Sequence, residues 1–186
     1  MTERVSRILL TLCIALSLGA CDEPPEEISS GWDGTGVGWT TELVSRVPEV
    51  SREAQLQGLA PIQEVRRAAE DGFDRFVIEI QGRGMPNYEV EYADEPLRDC
   101  RTGAEVSVAG EAVIHVRLEP AVAHEPSGQP LFRDAPAETG LPVLLEQRLV
   151  CDSDGSVEWA LGVARRAQFR VIQLTELNRI VVDVRH

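Results

Sequence analysis

The sequence predicts an all-β protein: a β-sandwich of about eight mostly antiparallel strands, preceded by a signal peptide and a flexible tether. Three observations support this fold class. Apolar and polar residues alternate with a period of two along several short segments, as they do in half-buried strands. Gly, Pro, Asp and Asn separate these segments, as in strands joined by turns. Long helical repeats are not visible, and many short strands without them indicate a sandwich.

The chain begins with the features of a bacterial lipoprotein signal peptide, which we place at residues 1–20. Arg4 and Arg7 form a positive head, and the 13 residues that follow Arg7 carry no charge. Spanning a bilayer takes about 20 apolar residues, so this segment is typical of a signal-peptide core instead. Leu18-Gly19-Ala20-Cys21 resembles a lipobox, which predicts lipidation of Cys21 and cleavage after Ala20. A plain secretory signal that happens to end in a cysteine is the alternative.

Residues 21–58 are predicted to form an acidic, Gly-rich tether. The stretches DEPPEE and SSGWDGTGVGWT cannot bury a core of their own, and residues 41–58 have weak helical character. A flexible tether of this length has a mean reach of roughly 35 Å. Trp32 and Trp39 could stack on sugar rings, enter the membrane interface or dock on the domain surface; we favour docking for one or both.

The sandwich domain is predicted over residues 59–186. Seven segments carry strand patterns, namely 73–80, 87–94, 111–119, 143–151, 156–164, 169–174 and 178–184. Residues 61–70 are ambiguous, because Ala, Glu, Gln and Arg with a Pro near the start favour a helix. The connection 120–142 contains five prolines and is long for a compact domain. Such connections are often functional, although this one could simply cover an open end of the sandwich.

The charge of the chain restricts its partners. The formal net charge is −13, and a signal peptide with a net charge of +1 leaves −14 on the mature chain. So acidic a domain has no general attraction for nucleic acid or anionic lipid headgroups. We therefore expect no nucleic-acid partner. We expect membrane contact through the lipid on Cys21, on the extracytoplasmic side, since two or more acyl chains give stable anchoring.

Two cysteines remain in the mature domain, Cys100 and Cys151. An even pair in an exported protein predicts a disulfide, which would contribute roughly 4 kcal/mol by closing a loop of about 50 residues. Free thiols are the alternative. A metal site needs more ligands than two thiols, and the histidines show no metal-ligand spacing with the cysteines. We therefore expect neither a metal nor a cofactor.

Several segments match a family pattern. They are GFDRFVIEI (72–80), YEVEY (88–92), VIHVRLEPAVAH (113–124) with Gly128, EWALGV (158–163), FRVIQL (169–174) and NRIVVDV (178–184). Together they resemble the AMIN-like domain of exported bacterial lipoproteins, over about residues 61–185. The resemblance implies a β-sandwich. It also implies that 61–70 is a strand entering a hairpin at Asp71-Gly72. The family is named for its likeness to the AMIN domains of cell-wall amidases and secretins, which place proteins on peptidoglycan or at envelope machines.

Candidate chemistry is sparse, and we expect no enzymatic activity. The sequence contains no Gly-x-Ser-x-Gly, no His-Glu-x-x-His and no Gly-rich phosphate loop after a strand. His115 lies on the charged face of its segment and is expected to point to solvent. His124 matches the family pattern, and it either bonds a loop carbonyl or binds a ligand. Asp152 and Asp154 could bind calcium weakly, but Asp-Gly turns are usually only turns.

The C-terminal third is locally basic, with a charge sum of +3 over residues 165–185. Arg165, Arg166 and Arg170 are candidate ligand-binding residues, because guanidinium groups bind carboxylates bidentately and peptidoglycan stem peptides carry carboxylates. Pairing with surface Glu, where each pair contributes little, is the alternative. We expect a non-enzymatic, lipid-anchored envelope protein that binds peptidoglycan or other wall material. The alternative is a structural or assembly lipoprotein that holds an envelope protein partner by strand addition to a sheet edge.

Overall fold

The computed structural model describes residues 38–46, 58–82, 84–132 and 138–186. The expected signal peptide, Cys21 and Trp32 lie outside these ranges. The strands are β1 (Val44–Arg46), β2 (Ala60–Glu70), β3 (Phe73–Ile80), β4 (Asn87–Tyr92), β5 (Ala112–Glu119), β6 (Ala121–Val122), β7 (Leu144–Ser153), β8 (Ser156–Val163), β9 (Phe169–Leu174) and β10 (Arg179–Arg185). A 3₁₀ turn, Thr175–Leu177, joins β9 to β10. In the described parts of the chain, no helix is long and apolar enough to cross a bilayer.

The strands form two five-stranded sheets that share one apolar core, which confirms the predicted sandwich. Sheet 1 has the order β1-β4-β5-β8-β7, and sheet 2 has the order β6-β2-β3-β10-β9. The paired strands are antiparallel, except for the short parallel pair β2–β6. All eight predicted strand segments are present. The two further strands, β1 and β6, have three and two residues, too few to show a period.

Residues 61–70 are confirmed as a strand, and the helix favoured by their composition is wrong. β2 pairs with β3 across the turn at Asp71-Gly72, where Gly72 has a φ of +83°. Ile62 and Val65 on β2 are buried in the core, so packing against the sandwich overrides the helical propensity of the segment. The weak helical character of 41–58 is also wrong at Val44–Arg46, which form β1 and pair with β4.

The core lies between the sheets and contains large rings from both. Phe76 of sheet 2 meets Trp159 of sheet 1 edge-on, with the ring centroids 6.2 Å apart, and both side chains are fully buried. Burial of a side chain of this kind contributes roughly 1.5–3 kcal/mol. Asp74 is also fully buried. Its carboxylate accepts the backbone N–H groups of Val143 and Leu144, at 2.6 and 2.8 Å, and so ties β3 to the start of β7.

The predicted disulfide between Cys100 and Cys151 is present, with the Cα atoms 5.2 Å apart. It joins the irregular connection between β4 and β5 to strand β7. The backbone N–H of Cys100 also donates to the carbonyl oxygen of Val150, at 3.3 Å. The connection is therefore held against the outer edge of sheet 1, where it forms one wall of the cleft described next.

A candidate binding cleft beside His124

A cleft of about 460 Å³ opens where three segments meet. The Pro-rich connection after β6 supplies His124 and Phe132, and the β4–β5 connection supplies Arg101. Strand β7 supplies Leu149 and Asp152, and the disulfide forms part of the wall. The volume lies within the range of about 300–1,000 Å³ that is typical of small-molecule sites. The long connection that the sequence marked as a possible functional element therefore borders a concave site.

The local backbone fixes His124 in place. After β6, the chain makes a tight turn in which Glu125 N–H donates to the Gln129 carbonyl oxygen at 2.7 Å. Gly128 takes a φ of +82° in this turn, a conformation that glycine adopts at no steric cost. Leu131 N–H returns to the Ala123 carbonyl oxygen, at 2.8 Å. The connection is thus a small ordered hairpin that presents His124 from a defined backbone.

His124 is paired with Asp152. Its Nδ1 lies 2.7 Å from Oδ2 of Asp152, whose other oxygen accepts the backbone N–H of Ala123 at 2.9 Å. The partner of His124 is therefore a carboxylate and not the loop carbonyl suggested from sequence. Because Nδ1 faces this carboxylate, Nε2 remains available to a ligand. The His124 side chain is 40% exposed, whereas that of Asp152 is 17% exposed.

The same contacts bear on the calcium site considered for Asp152 and Asp154. Asp152 is occupied by His124 and the Ala123 N–H, and Asp154 lies in the β7–β8 turn with a φ of 53°. Within the described ranges, no group of three His, Cys, Asp or Glu side chains could hold a metal ion. The two acids are explained by the turn and by the positioning of His124.

The opposite wall of the cleft contains a compact turn around Asp99. One oxygen of Asp99 accepts the N–H groups of Arg101 and Thr102 and the hydroxyl of Thr102, at 3.0, 2.7 and 2.9 Å. The hydrogen bond from the Thr102 backbone is the main reason that the pKa of Asp99 is lowered. Arg101 lines the cleft, and its charge also contributes to lowering the pKa of Asp99. Arg101 could not be identified from the sequence, because its position in the cleft depends on the disulfide-tethered turn.

The three candidate arginines do not come together in one groove. Arg165 and Arg166 are exposed in the turn between β8 and β9, and Arg166 stacks over the ring of Tyr92 at 4.6 Å. Arg170 is only 4% exposed, and its Nε donates to Asp183 at 2.9 Å. Arg170 lies within strand β9, where it pairs with Asp183 of β10. The three arginines are close in sequence, but Arg170 is not part of the exposed surface that carries Arg165 and Arg166.

Two other residues of the family pattern, Arg75 and Asp183, stabilise the fold and do not line the cleft. Asp183 of β10 is fully buried. Its Oδ1 accepts a hydrogen bond from Nε of Arg75 at 2.7 Å. Its Oδ2 accepts hydrogen bonds from Nη2 of Arg75 and from Nε of Arg170, both at 2.9 Å. The register places these residues side by side on β3, β10 and β9. The cluster could have been suspected from the sequence, because Asp183 is an acidic residue within the otherwise apolar segment 180–184.

Two further expectations are settled by contacts on the sheet surfaces. His115 is not free in solvent, because its Nε2 lies 2.9 Å from Oε2 of Glu158 on the neighbouring strand, with both side chains about one-fifth exposed.

Trp39 docks on the domain, as favoured. Its ring lies 4.5 Å from the guanidinium carbon of Arg170 and 5.2 Å from that of Arg185. Residues 38–46 are therefore packed against the sandwich, although they fall within the expected tether.

Comparison with family models matches residues 60–186 to the AMIN-like domain. The matched range contains β2 to β10 and therefore both walls of the cleft, and it begins after β1 and Trp39. Comparison with curated proteins finds no match. Comparison with solved structures finds none either.

Proposed function

The chain belongs to the AMIN-like domain family, and from this premise we propose that it is a non-enzymatic envelope protein whose sandwich binds peptidoglycan or other wall material. In this proposal Cys21 carries the lipid that anchors the protein to the extracytoplasmic face of a membrane. The wall material is held in the His124 cleft. AMIN-like domains are associated with the cell envelope as binding modules, which supports the general class of function.

The observation that carries the proposal is the combination of groups around the cleft. Arg101 offers a guanidinium at the cleft wall, suited to a carboxylate. His124 is oriented by Asp152 and offers Nε2 to a hydroxyl or amide group. Leu149 and Phe132 supply apolar surface. Stem peptides contain carboxylates and amides, and wall glycans contain hydroxyls, so this set fits wall material.

A binding role is favoured over catalysis by the environment of His124. Among the described residues, its ring hydrogen-bonds Asp152 and no hydroxyl or thiol. Covalent catalysis needs a nucleophile within hydrogen-bond reach of the base. The disulfide keeps Cys100 and Cys151 from acting as that nucleophile. In this proposal the His124–Asp152 pair orients a ligand-binding group.

Sedimentation of the purified protein with isolated sacculi tests the proposal. We expect Arg101→Ala/His124→Ala to weaken the affinity for sacculi by about fivefold or more, since two direct contacts of about 0.5–1.5 kcal/mol each are lost. Arg165→Ala/Arg166→Ala is the matched control, because it removes two exposed charges from another surface and should bind like wild type. Equal sedimentation of the cleft variant and wild type would exclude the cleft, and a wild type that never sediments would exclude sacculus binding.

The lipid anchor is tested separately, in cells. Cys21→Ser should abolish palmitate labelling and move the protein out of the membrane fraction. A Cys21→Ser protein that is still labelled and still membrane-bound would contradict the proposal.

A second candidate function, a structural lipoprotein that holds an envelope protein partner, is favoured by the edge of β9. β9 pairs with β10 along one side, whereas on the other side, among the described residues, only Phe169 is paired, with Thr40. Such an edge can accept a strand from another chain. Crosslinking in living cells distinguishes this candidate, because it should recover one protein partner even from cells whose sacculi do not retain the protein.

A further inference from the structure

Residues 38–46, which we call the clasp, connect the edges of both sheets at one side of the sandwich. Thr40 and Phe169 exchange two backbone hydrogen bonds, at 2.8 and 2.7 Å, so the clasp extends sheet 2 beyond β9. A few residues later, β1 pairs antiparallel with β4 and extends sheet 1. One short segment therefore occupies two neighbouring strand edges.

An aromatic side chain fixes the start of the clasp. The Trp39 ring contacts Arg170 and Arg185 at 4.5 and 5.2 Å, and it meets the ring of Phe73 with centroids 5.9 Å apart. We call Phe73, Arg170 and Arg185 the cradle. Arginine over an aromatic ring within about 6 Å is an attractive cation–π contact. The cradle lies within the residues that match the family, whereas Trp39 lies before them.

The clasp is held more weakly than the strands that it covers. Ser45 and Arg46 of β1 are exposed, and Leu43 just before them is 54% exposed. Val44 is the residue of β1 that packs against the core. Segments with few buried apolar contacts open locally at low free-energy cost. The clasp can therefore leave its position while the two sheets stay folded.

We propose that the cradle, with the edges of β9 and β4 that the clasp covers, is an acceptor site for an extended segment of a protein partner, and that the clasp occupies this site in the resting protein. The partner segment carries an aromatic residue and a β-branched residue five positions later, which is the spacing of Trp39 and Val44. Backbone pairing supplies the affinity and the two side chains supply the specificity, as in other strand additions. This inference deepens the second candidate function, strand addition at the β9 edge, and does not depend on the His124 cleft or on wall binding.

The covalent link between clasp and domain sets the conditions for exchange. Only the residues between Arg46 and Ala60 separate β1 from β2. A covalent link of this length gives an effective concentration on the order of millimolar. A free segment at micromolar concentration therefore competes poorly with an intact clasp, and it binds well once the clasp is weakened.

The test uses the full-length protein and a fluorescent synthetic peptide of residues 38–46, with binding followed by anisotropy. We expect the peptide to bind Trp39→Ala protein at least tenfold more tightly than wild-type protein, because the substitution vacates the cradle without altering it. A peptide in which Trp39 is replaced by Ala should bind at least tenfold more weakly than the natural peptide.

A covalent lock keeps the proposal testable if Trp39→Ala disturbs folding. Val44 and Val90 face each other in the β1–β4 register, so Val44→Cys/Val90→Cys should form a disulfide that fixes β1 in place. Adding this lock to Trp39→Ala should abolish peptide binding. The proposal is overturned if the peptide binds locked and unlocked proteins alike, or if folded Trp39→Ala protein does not bind it. Sacculus sedimentation of Trp39→Ala should equal that of wild type, so wall binding is judged independently.

Discussion

Removal of the carboxylate of Asp183 should be the most damaging single change on the outer face of sheet 2. Asp183 is fully buried and bonds two arginines, Arg75 on β3 and Arg170 on β9. Arg170 has a side chain only 5% exposed, so Asp183→Ala takes away a carboxylate that a buried guanidinium is bonded to.

The size of the effect follows from burial. Removing one partner of a buried, hydrogen-bonded ion pair costs about 3–5 kcal/mol, a large part of the 5–15 kcal/mol that stabilises a typical domain. The same face provides a matched control. Glu79 also lies between two arginines, with Arg66 Nη2 at 2.6 Å and Arg179 Nε at 3.0 Å. The Arg66 side chain is 45% exposed and that of Glu79 is 20% exposed, so we expect Glu79→Ala to cost about 1 kcal/mol or less.

Urea unfolding of the purified oxidised protein, followed by tryptophan fluorescence, measures both variants. We expect the midpoint to fall strongly for Asp183→Ala and slightly for Glu79→Ala, with unchanged m-values. Two results would refute the reasoning. One is a loss below about 1 kcal/mol for Asp183→Ala, and the other is an equal loss for the two variants, which would mean that burial does not decide the cost.

Three further predictions concern other parts of the sandwich. Cys100→Ala/Cys151→Ala should lower the free energy of unfolding by about 4 kcal/mol, since the bridge closes a loop with a sequence separation of 51. Urea unfolding with and without reductant measures this loss, and reductant should not change the stability of the variant. The hydrogen bond from His115 lowers the pKa of Glu158 below 4.5. This interaction therefore stabilises the fold above that value and is lost as the pH falls through the lowered pKa. His115→Ala should flatten the dependence of stability on pH below about 4.5, as measured by urea unfolding at a series of pH values. Gly162→Ala should destabilise the fold by about 1–3 kcal/mol, because a Cβ would stand 2.1 Å from a backbone oxygen; an unchanged melting temperature would contradict this.

The sequence identified the long strands because their period of two reports which face is buried. It could not identify β1 and β6, whose two or three residues are held by their partners and not by a pattern of their own. Residues 61–70 show the limit of propensity: Arg, Ala and Glu favour a helix, yet Ile62 and Val65 are buried at the sheet. Tertiary packing outweighs preferences of a few tenths of a kcal/mol per residue.

The candidate site could be predicted only in part. His124 was found through the family pattern, but its partner Asp152 was visible only as a turn residue, because the pair joins positions 28 residues apart. Arg101 reaches the cleft through a tertiary contact that the disulfide maintains. Arg170 resembled its neighbours Arg165 and Arg166 in sequence. Its place within a strand buries it in an ion pair with Asp183, whereas Arg165 and Arg166 are exposed.

The clasp changes how far the domain could travel from a lipid on Cys21. If residues 21–58 were all free, 37 peptide units of about 3.4 Å would allow roughly 126 Å of extension. Because the chain is already fixed to the sandwich at Trp39, only the part from Cys21 to Gly38 remains, which allows about 58 Å. The volume within reach scales with the cube of this length and shrinks about tenfold. Such a domain would contact only the layer of wall nearest its membrane. Opening the clasp would lengthen the chain between the lipid and the domain.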